Sequence, residues 1–495
     1  MEDGRTLYFE GIKKFFDGSW KDAEESFSRA SLQNYAPATN VCIRHMAKYG
    51  FLGDTRLSIL KSDWFDVEGM IYIAELSYEK EFYQQAFAWY KVAAERGSGA
   101  GYYGMASLYF GGLGVSADSD KGMDMLIESA KLGYVKAEYL LAKSLIDAED
   151  YTNALPFLMS AAAKEHPDAQ YLLSLCYMKG LGVETDAELS SKWCVEAANA
   201  GHPDAQLSVG VYLYDLQKYE DAVAWLNASA EQGNSDAQYL LSLCYLKGLG
   251  VEPNLELFSE WCAEAANAGH SDAQYMLGTV CYKEQDHENA VYWFREAADQ
   301  GHPAAQCELA GYAISANNND EFIHLLKSSA NQGYLPAVLK LGVAFYGGVG
   351  VEKNFSSALR YFRQAAEAGK AEAQHYLALM YLRGDGVGYN LDTAIYWFGK
   401  AHSQGYSEST EILCDLRKYI IGEMEDMVGQ SSNAALRRIK YLRSQIKNGA
   451  QYRDYNVRIV KEAEATFATH KRNTKKSMAE LEGFINKIDS ILMLR

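Results

Sequence analysis

Histidine is the side chain most ready to ligate a metal or move a proton near neutral pH, and four of the chain's ten recur at one kind of place. His166, His202, His270 and His302 each precede a segment of helical character, at what reads as the junction between helix pairs. Equivalent places in successive pairs lie at least roughly 8 to 10 Å apart, whereas a zinc-bound nitrogen sits about 2.1 Å from its metal. One ion cannot bridge two such imidazoles, so no metal is expected. The glycine clusters raise a second possibility, a phosphate cradle, at Gly180-Leu181-Gly182-Val183 and Gly347-Gly348-Val349-Gly350-Val351. A cradle of that kind follows a strand and opens a helix, and no strand-like alternation precedes these turns. No C-x-x-C, H-E-x-x-H, Walker or G-x-S-x-G element occurs. No catalytic residue and no cofactor is therefore assigned, and the chain is not expected to be an enzyme.

The eight cysteines contain no close pair and no signal-peptide run follows the acidic start, so reduced thiols are expected. Cys176 and Cys244 occupy equivalent places in two near-copies of one segment, as do Cys194 and Cys262. Such thiols read as small buried apolar groups.

Those near-copies reveal what must position every side chain. YLLSLCYMKGLGVE from Tyr171 and YLLSLCYLKGLGVE from Tyr239 differ at one position, at an offset of 68 residues. The offset divides into a unit of 36 residues, 169–204, that carries the Gly-x-Gly turn, and one of 32, 205–236, that lacks it. The pair recurs over 237–272 and 273–304. Further short units fall at 6–37, 69–100, 137–168 and 305–336, and long ones at 101–136, 337–372 and 373–408; residues 38–68 fit badly. Each unit reads as two short amphipathic helices, with Leu341, Gly342 and Phe345 on one and Ala358, Tyr361, Phe362 and Ala365 on the other. Small residues at Gly342 and Ala365 allow close approach, and glycine after the first helix supplies a left-handed cap. Pro37, Pro167, Pro203, Pro303 and Pro336 precede unit openings, where a missing N–H costs least, and Asp168 and Asp204 sit where the helix dipole favours a carboxylate.

The pattern Ala-x-x-x-Leu-Gly-x-x-Tyr, Gly-x-Gly-Val, then Ala-x-x-Trp/Tyr-Phe resembles the Sel1-like repeat. It is clearest at Ala373 to Tyr381, Gly384-Asp385-Gly386-Val387 and Ala394-Ile395-Tyr396-Trp397-Phe398. The short units, such as that carrying Gly11, Ala23, Phe27 and Ala30, look more like tetratricopeptide repeats. The resemblance implies an all-α fold, a right-handed α-solenoid superhelix of about twelve helix-turn-helix repeats with a helical C-terminal segment. It also implies an adaptor or scaffold that binds a protein or peptide on its concave face. Some cysteine-rich relatives staple each unit with cysteines eight residues apart, but here His202 and His270 stand eight after Cys194 and Cys262.

By analogy with such stacking, the concave face would present Tyr103, Tyr171, Lys179, Tyr239, Lys247, Tyr275, His375 and Arg383. Tyrosine is a favoured interface residue and the chain holds 36, although tyrosine packing between helices is the commoner use. Residues 415–495 carry 16 Lys+Arg against 10 Asp+Glu, net +6, so the remainder holds −24 of the total −18. An acidic body repels nucleic acid and attracts a basic partner, unless the acidity serves solubility alone. Two other readings remain open: a dedicated inhibitor or immunity protein that wraps a toxin or enzyme, and a co-chaperone clamping a C-terminal carboxylate through Lys179, Lys247 and Arg383.

The solenoid is expected over 1–408. Over 409–495 a helical segment carries the stripe Met478, Leu481, Ile485, Ile488, Leu492, which suits a cap on the last repeat or, alternatively, a docking or homodimer helix. No apolar run of membrane-spanning length occurs, and a cytoplasmic, bacterial protein with no membrane contact is the expectation.

Overall fold

A computed structural model describes residues 3–17, 19–32, 66–428 and 474–493, all helical or in turns, with no strand among them. The misfit at 38–68 and Pro37 thus lie almost wholly outside the described residues, as do most of the basic residues near the C-terminus. The chain divides into two compact units, Met1–Phe258 and Ser259–Arg495.

Within each unit the element is a helical hairpin, and helices adjacent in sequence pack on one another. Ten such pairs occur within the two units among the described residues, and the longer helices Ser407–Val428 and Thr474–Met493 follow the last of them. Each hairpin opens two residues before the unit start that the spacing picked out: Pro167–Lys179 starts ahead of Ala169, and Pro203–Asp215 ahead of Ala205. Pro167, Pro203 and Pro303 are first residues of their helices, and Pro336 is a second residue. Pro156 breaks the pattern, lying inside Tyr151–Ala163, where it removes an interior N–H donor.

Two devices set the hairpin geometry. In long units the first helix ends on a left-handed glycine, as at Gly180 with φ 70°, whose N–H donates to the Cys176 carbonyl. In short units a non-glycine residue such as Gln217 (φ 61°) or Gln285 (φ 65°) makes the turn. These turns join helix to helix, so their glycines cap helices, as expected. The second device is a small residue facing a ring: a Cβ on Gly342 would lie 2.6 Å from Phe362, and one on Gly278 2.6 Å from Phe294. The apolar spine follows from this interlock, with Phe27, Leu226, Phe294 and Phe362 buried opposite small partners.

Cys176, Cys244, Cys262 and Cys307 are buried and unpaired, and Cys194 is half-buried. Burial pushes the Cys244 thiol up to about 11 and Cys262 to about 12, which keeps both protonated and unreactive.

The last helix, Thr474–Met493, lies against Leu391–Ser403 and Ser407–Val428. Leu481 and Ile488 are buried among Phe398, Leu413 and Ile420, with Ile485 and Leu492 half-buried beside them. Asp489 pairs with Arg417, and Lys487 with Asp392. The stripe read from the sequence is the face that packs, apart from Met478, whose side chain lies outside those described. Among the described residues no helix is long and apolar enough to cross a membrane.

Candidate binding face

In several pairs an aromatic fifth residue of the first helix makes the joint to the next pair. Tyr139 stacks on His166 with ring centroids 4.8 Å apart, Tyr171 on His202 at 4.4 Å and Tyr275 on His302 at 4.8 Å. Tyr103 meets Tyr134 at the same place, tilted rather than stacked, at 5.3 Å. The residue received in each contact is the N-cap of the following helix. His202 Nδ1 accepts from the Ala205 amide at 3.3 Å, His270 from Ala273 at 3.2 Å and His302 from Ala305 at 3.1 Å. An accepting Nδ1 places the proton on Nε2, and His302 Nε2 donates to Asp272 of the preceding pair at 3.0 Å. Asp168 stands 3.4 Å from His202 Nε2, and burial lowers the His202 pKa against the pull of Asp168 and Asp204. His202 and His302 both cap and stack, His270 caps, and His166 stacks from an N-cap position without a side-chain cap bond; no group of three or more His, Cys, Asp or Glu among the described residues could hold a metal.

A second ladder runs beneath the first. The fourth residue of many first helices is a buried glutamine whose amide donates to the carbonyl of an alanine in the preceding helix. Gln206 to Ala198 spans 3.2 Å and Gln274 to Ala266 3.1 Å. Its oxygen accepts from a glutamine of its own hairpin: Gln232 to Gln206 at 2.8 Å, Gln300 to Gln274 at 2.7 Å and Gln404 to Gln374 at 2.9 Å. One rung is ionic, with Lys164 Nζ 2.8 Å from the buried Glu138. This ladder escaped the sequence reading. Its signal was available, since Gln170, Gln206, Gln238, Gln274 and Gln306 recur at the repeat spacing.

The eight residues picked for the binding face fall into distinct environments. In the first unit, Lys179 and Lys247 are exposed at the ends of their helices, while Tyr103, Tyr171 and Tyr239 are half-buried. In the second, Tyr275 is half-buried in its stack. Arg383 is half-buried and its Nη1 donates to the Tyr346 hydroxyl at 2.9 Å, which donates to Asp385 at 2.8 Å. His375 is 7% exposed, with Nδ1 2.9 Å from Ser409 Oγ and its ring edge-on to Phe398. It takes part in packing and offers little to a partner. Tyr78, Phe110 and Met178, which the sequence reading passed over, are all exposed and all twelfth in their helices.

Comparison with known proteins agrees with this construction. The Sel1 repeat family matches residues 83–98, 99–134, 167–202, 235–270, 271–302, 335–370 and 371–406, and a tetratricopeptide repeat family matches 195–237. Six of the seven Sel1 matches open where a hairpin opens, and the seventh, 83–98, opens with a second helix. The chain is 32% identical over 123 residues to an uncharacterised protein of Neisseria meningitidis serogroup B, covering 24% of this chain and 26% of that protein. It is 30% identical over 143 residues to the Sel1-repeat-containing protein YjcO of Escherichia coli K12, covering 27% of this chain and 62% of that one. The match thus spans about a quarter of the first relative's length. Among solved structures, c5321, a protective antigen of uropathogenic Escherichia coli with an SLR fold, superposes with a TM-score of 0.62. It covers 95% of both chains at 24% identity, a likeness of fold. Hairpins of two lengths, their glycine caps and the recurring family matches together make this chain a Sel1-like repeat protein with a tetratricopeptide-type unit among its repeats.

Proposed function

We propose that this protein is a non-catalytic scaffold or adaptor that holds a protein partner on the free face of its first helices. One observation carries the reading: exposed apolar residues recur at a fixed place, at Tyr78, Phe110 and Met178, with Lys179 next to the last of them. Isolated exposed apolar residues need no explanation, whereas a row at one repeat position makes a contact surface. The chemically able side chains, by contrast, are used inside the repeat joints. Residues 66–334 carry 15 Lys+Arg against 39 Asp+Glu, net −24, so the partner is basic. The carboxylate-clamp alternative is weakened because Arg383 already serves Tyr346.

The test is capture of partners by the full chain at rising salt. A basic protein should be retained at low ionic strength and released between roughly 0.05 and 0.5 M NaCl, as the Debye length shrinks. Retention of no protein, or of one indifferent to salt, would overturn the reading.

A further inference from the structure

We propose that Tyr282, His287 and Tyr312 form a docking platform for a basic, extended segment of a protein partner, at the place where a repeat loop is missing. The proposal rests on the adaptor reading and gives it a location within the second unit.

In three long units of the first compact unit the second glycine of the turn leans on the start of the preceding hairpin's second helix. A Cβ on Gly114 would lie 2.8 Å from the Tyr83 Cβ, one on Gly182 2.5 Å from that of Tyr151, and one on Gly250 2.3 Å from the Tyr219 backbone. The loop therefore covers the first residue of that helix. From residue 67 onward each short hairpin is followed by a long one, except 271–302, which is followed by the short hairpin 303–334. His287 occupies the place of Tyr83, Tyr151 and Tyr219, but no loop reaches it. Those tyrosines are half-buried, and His287 is exposed. Tyr282 is 55% exposed, against 38% for its counterpart Tyr78 and a half-buried Tyr214, where the loop is present.

The uncovered rings hold one another in place. Tyr282 meets His287 edge to face with centroids 5.8 Å apart and meets Tyr312 at 6.5 Å. His287 and Tyr312 lie 6.1 Å apart, with Nδ1 3.3 Å from the Tyr312 hydroxyl. A surface ordered before contact loses little entropy on binding. Its rim is acidic: Glu284 and Asp286 are exposed in the turn and Glu288 at the start of the next helix, and Glu308 acts electrostatically on the Tyr312 phenol while lying 3.7 Å from Lys340.

What covers the equivalent place elsewhere is a Gly-Leu-Gly turn, at 112–114, 180–182 and 248–250. The fitting occupant is thus a short extended segment with a small or apolar residue at its centre. Lysine or arginine flank it, meeting the carboxylates and the aromatic faces.

The experiment uses the full chain and two fluorescein-labelled peptides, Lys-Lys-Gly-Leu-Gly-Val-Lys-Lys and its version with glutamate for lysine, read by anisotropy. The lysine peptide should bind, the glutamate peptide should not, and Tyr282→Ala should weaken binding about tenfold or more with an unchanged thermal melt. Tyr396→Ala, an equally exposed ring on a second helix of the same unit, should leave affinity unchanged. Equal binding by wild type and Tyr282→Ala, equal loss in Tyr396→Ala, or binding of the glutamate peptide would each overturn the platform. If a partner captured by the whole chain is retained by Tyr282→Ala, the platform falls and the adaptor reading stands. If the chain captures nothing, the adaptor reading itself fails.

Discussion

At the scale of single residues, the joints between repeats are polar, and two of the glutamine rungs, at Gln170 and Gln238, are incomplete. The Gln170 oxygen is buried and lacks a partner, whereas the oxygen of Gln374 accepts from Gln404, thirty residues on. Thirty residues after Gln170 stands Ala200, which has no donor to give. Ala200→Gln should restore the rung and raise stability by about 0.5 to 1.5 kcal/mol, read as a higher urea midpoint. The variant fails as a test of the ladder only by melting at or below the wild type. His375 offers the opposite lesson, because burial lowers its pKa to about 4, aided by Arg383 and opposed by Glu408. Between that value and an unfolded pKa of about 6.5, the unfolded chain binds the extra proton. Stability is therefore complete above about pH 6.5 and falls as the pH drops toward 4, by up to about 3 kcal/mol from this group. His375→Gln should remove that part of the slope, so a variant with the wild-type pH profile refutes the assignment. Neither residue was legible in the sequence for what it does. A glutamine or histidine beside apolar neighbours looks like a surface group until the adjoining hairpin closes over it.

Elements were far more legible than joints, because a repeated mistake in spacing would have shown. The offset between Tyr171 and Tyr239 placed each first helix to within two residues, as Pro167 ahead of Ala169 shows. The proline markers told the same story wherever a missing N–H was harmless, and Pro156 escaped because it lies inside a helix. Hairpin closure depends on one contact that spacing could anticipate only as smallness at Gly342. Gly342→Ala would force a Cβ to 2.6 Å from Phe362, and such overpacking costs about 1 to 3 kcal/mol. Gly311→Ala is the matched control, since nothing lies within 4 Å of its added Cβ and alanine favours a helix by about 0.8 to 1 kcal/mol over glycine. The first should lower and the second should raise the thermal midpoint. Equal effects would mean that the ring-to-glycine contact does not set the hairpin.

Across the whole molecule, stability in a repeat protein is approximately a sum over neighbours, so an end without a neighbour exposes an apolar face. Within the second unit that face includes Leu391, Ile395, Phe398 and Leu413, and Leu481 and Ile488 of the last helix pack among them. The stripe was visible in the sequence, but its partner was not: a three-and-four spacing fits a dimer seam as well as a cap, and only the fold supplies the surface beside it. Ile488 is fully buried, so Ile488→Ala removes packed volume and should cost about 2 to 5 kcal/mol. Because each hairpin leans only on its neighbours, that loss should stay local. Amide exchange should quicken across 371–428 and 474–493, while helices of the first unit such as Val135–Asp147 exchange as before, and the mass in solution should not change. A seam between two copies would give a different signature. Ile488→Ala would then halve the mass at a given concentration and leave exchange in 371–403 at its wild-type rate, and the last helix would have to be read as a link to a second chain.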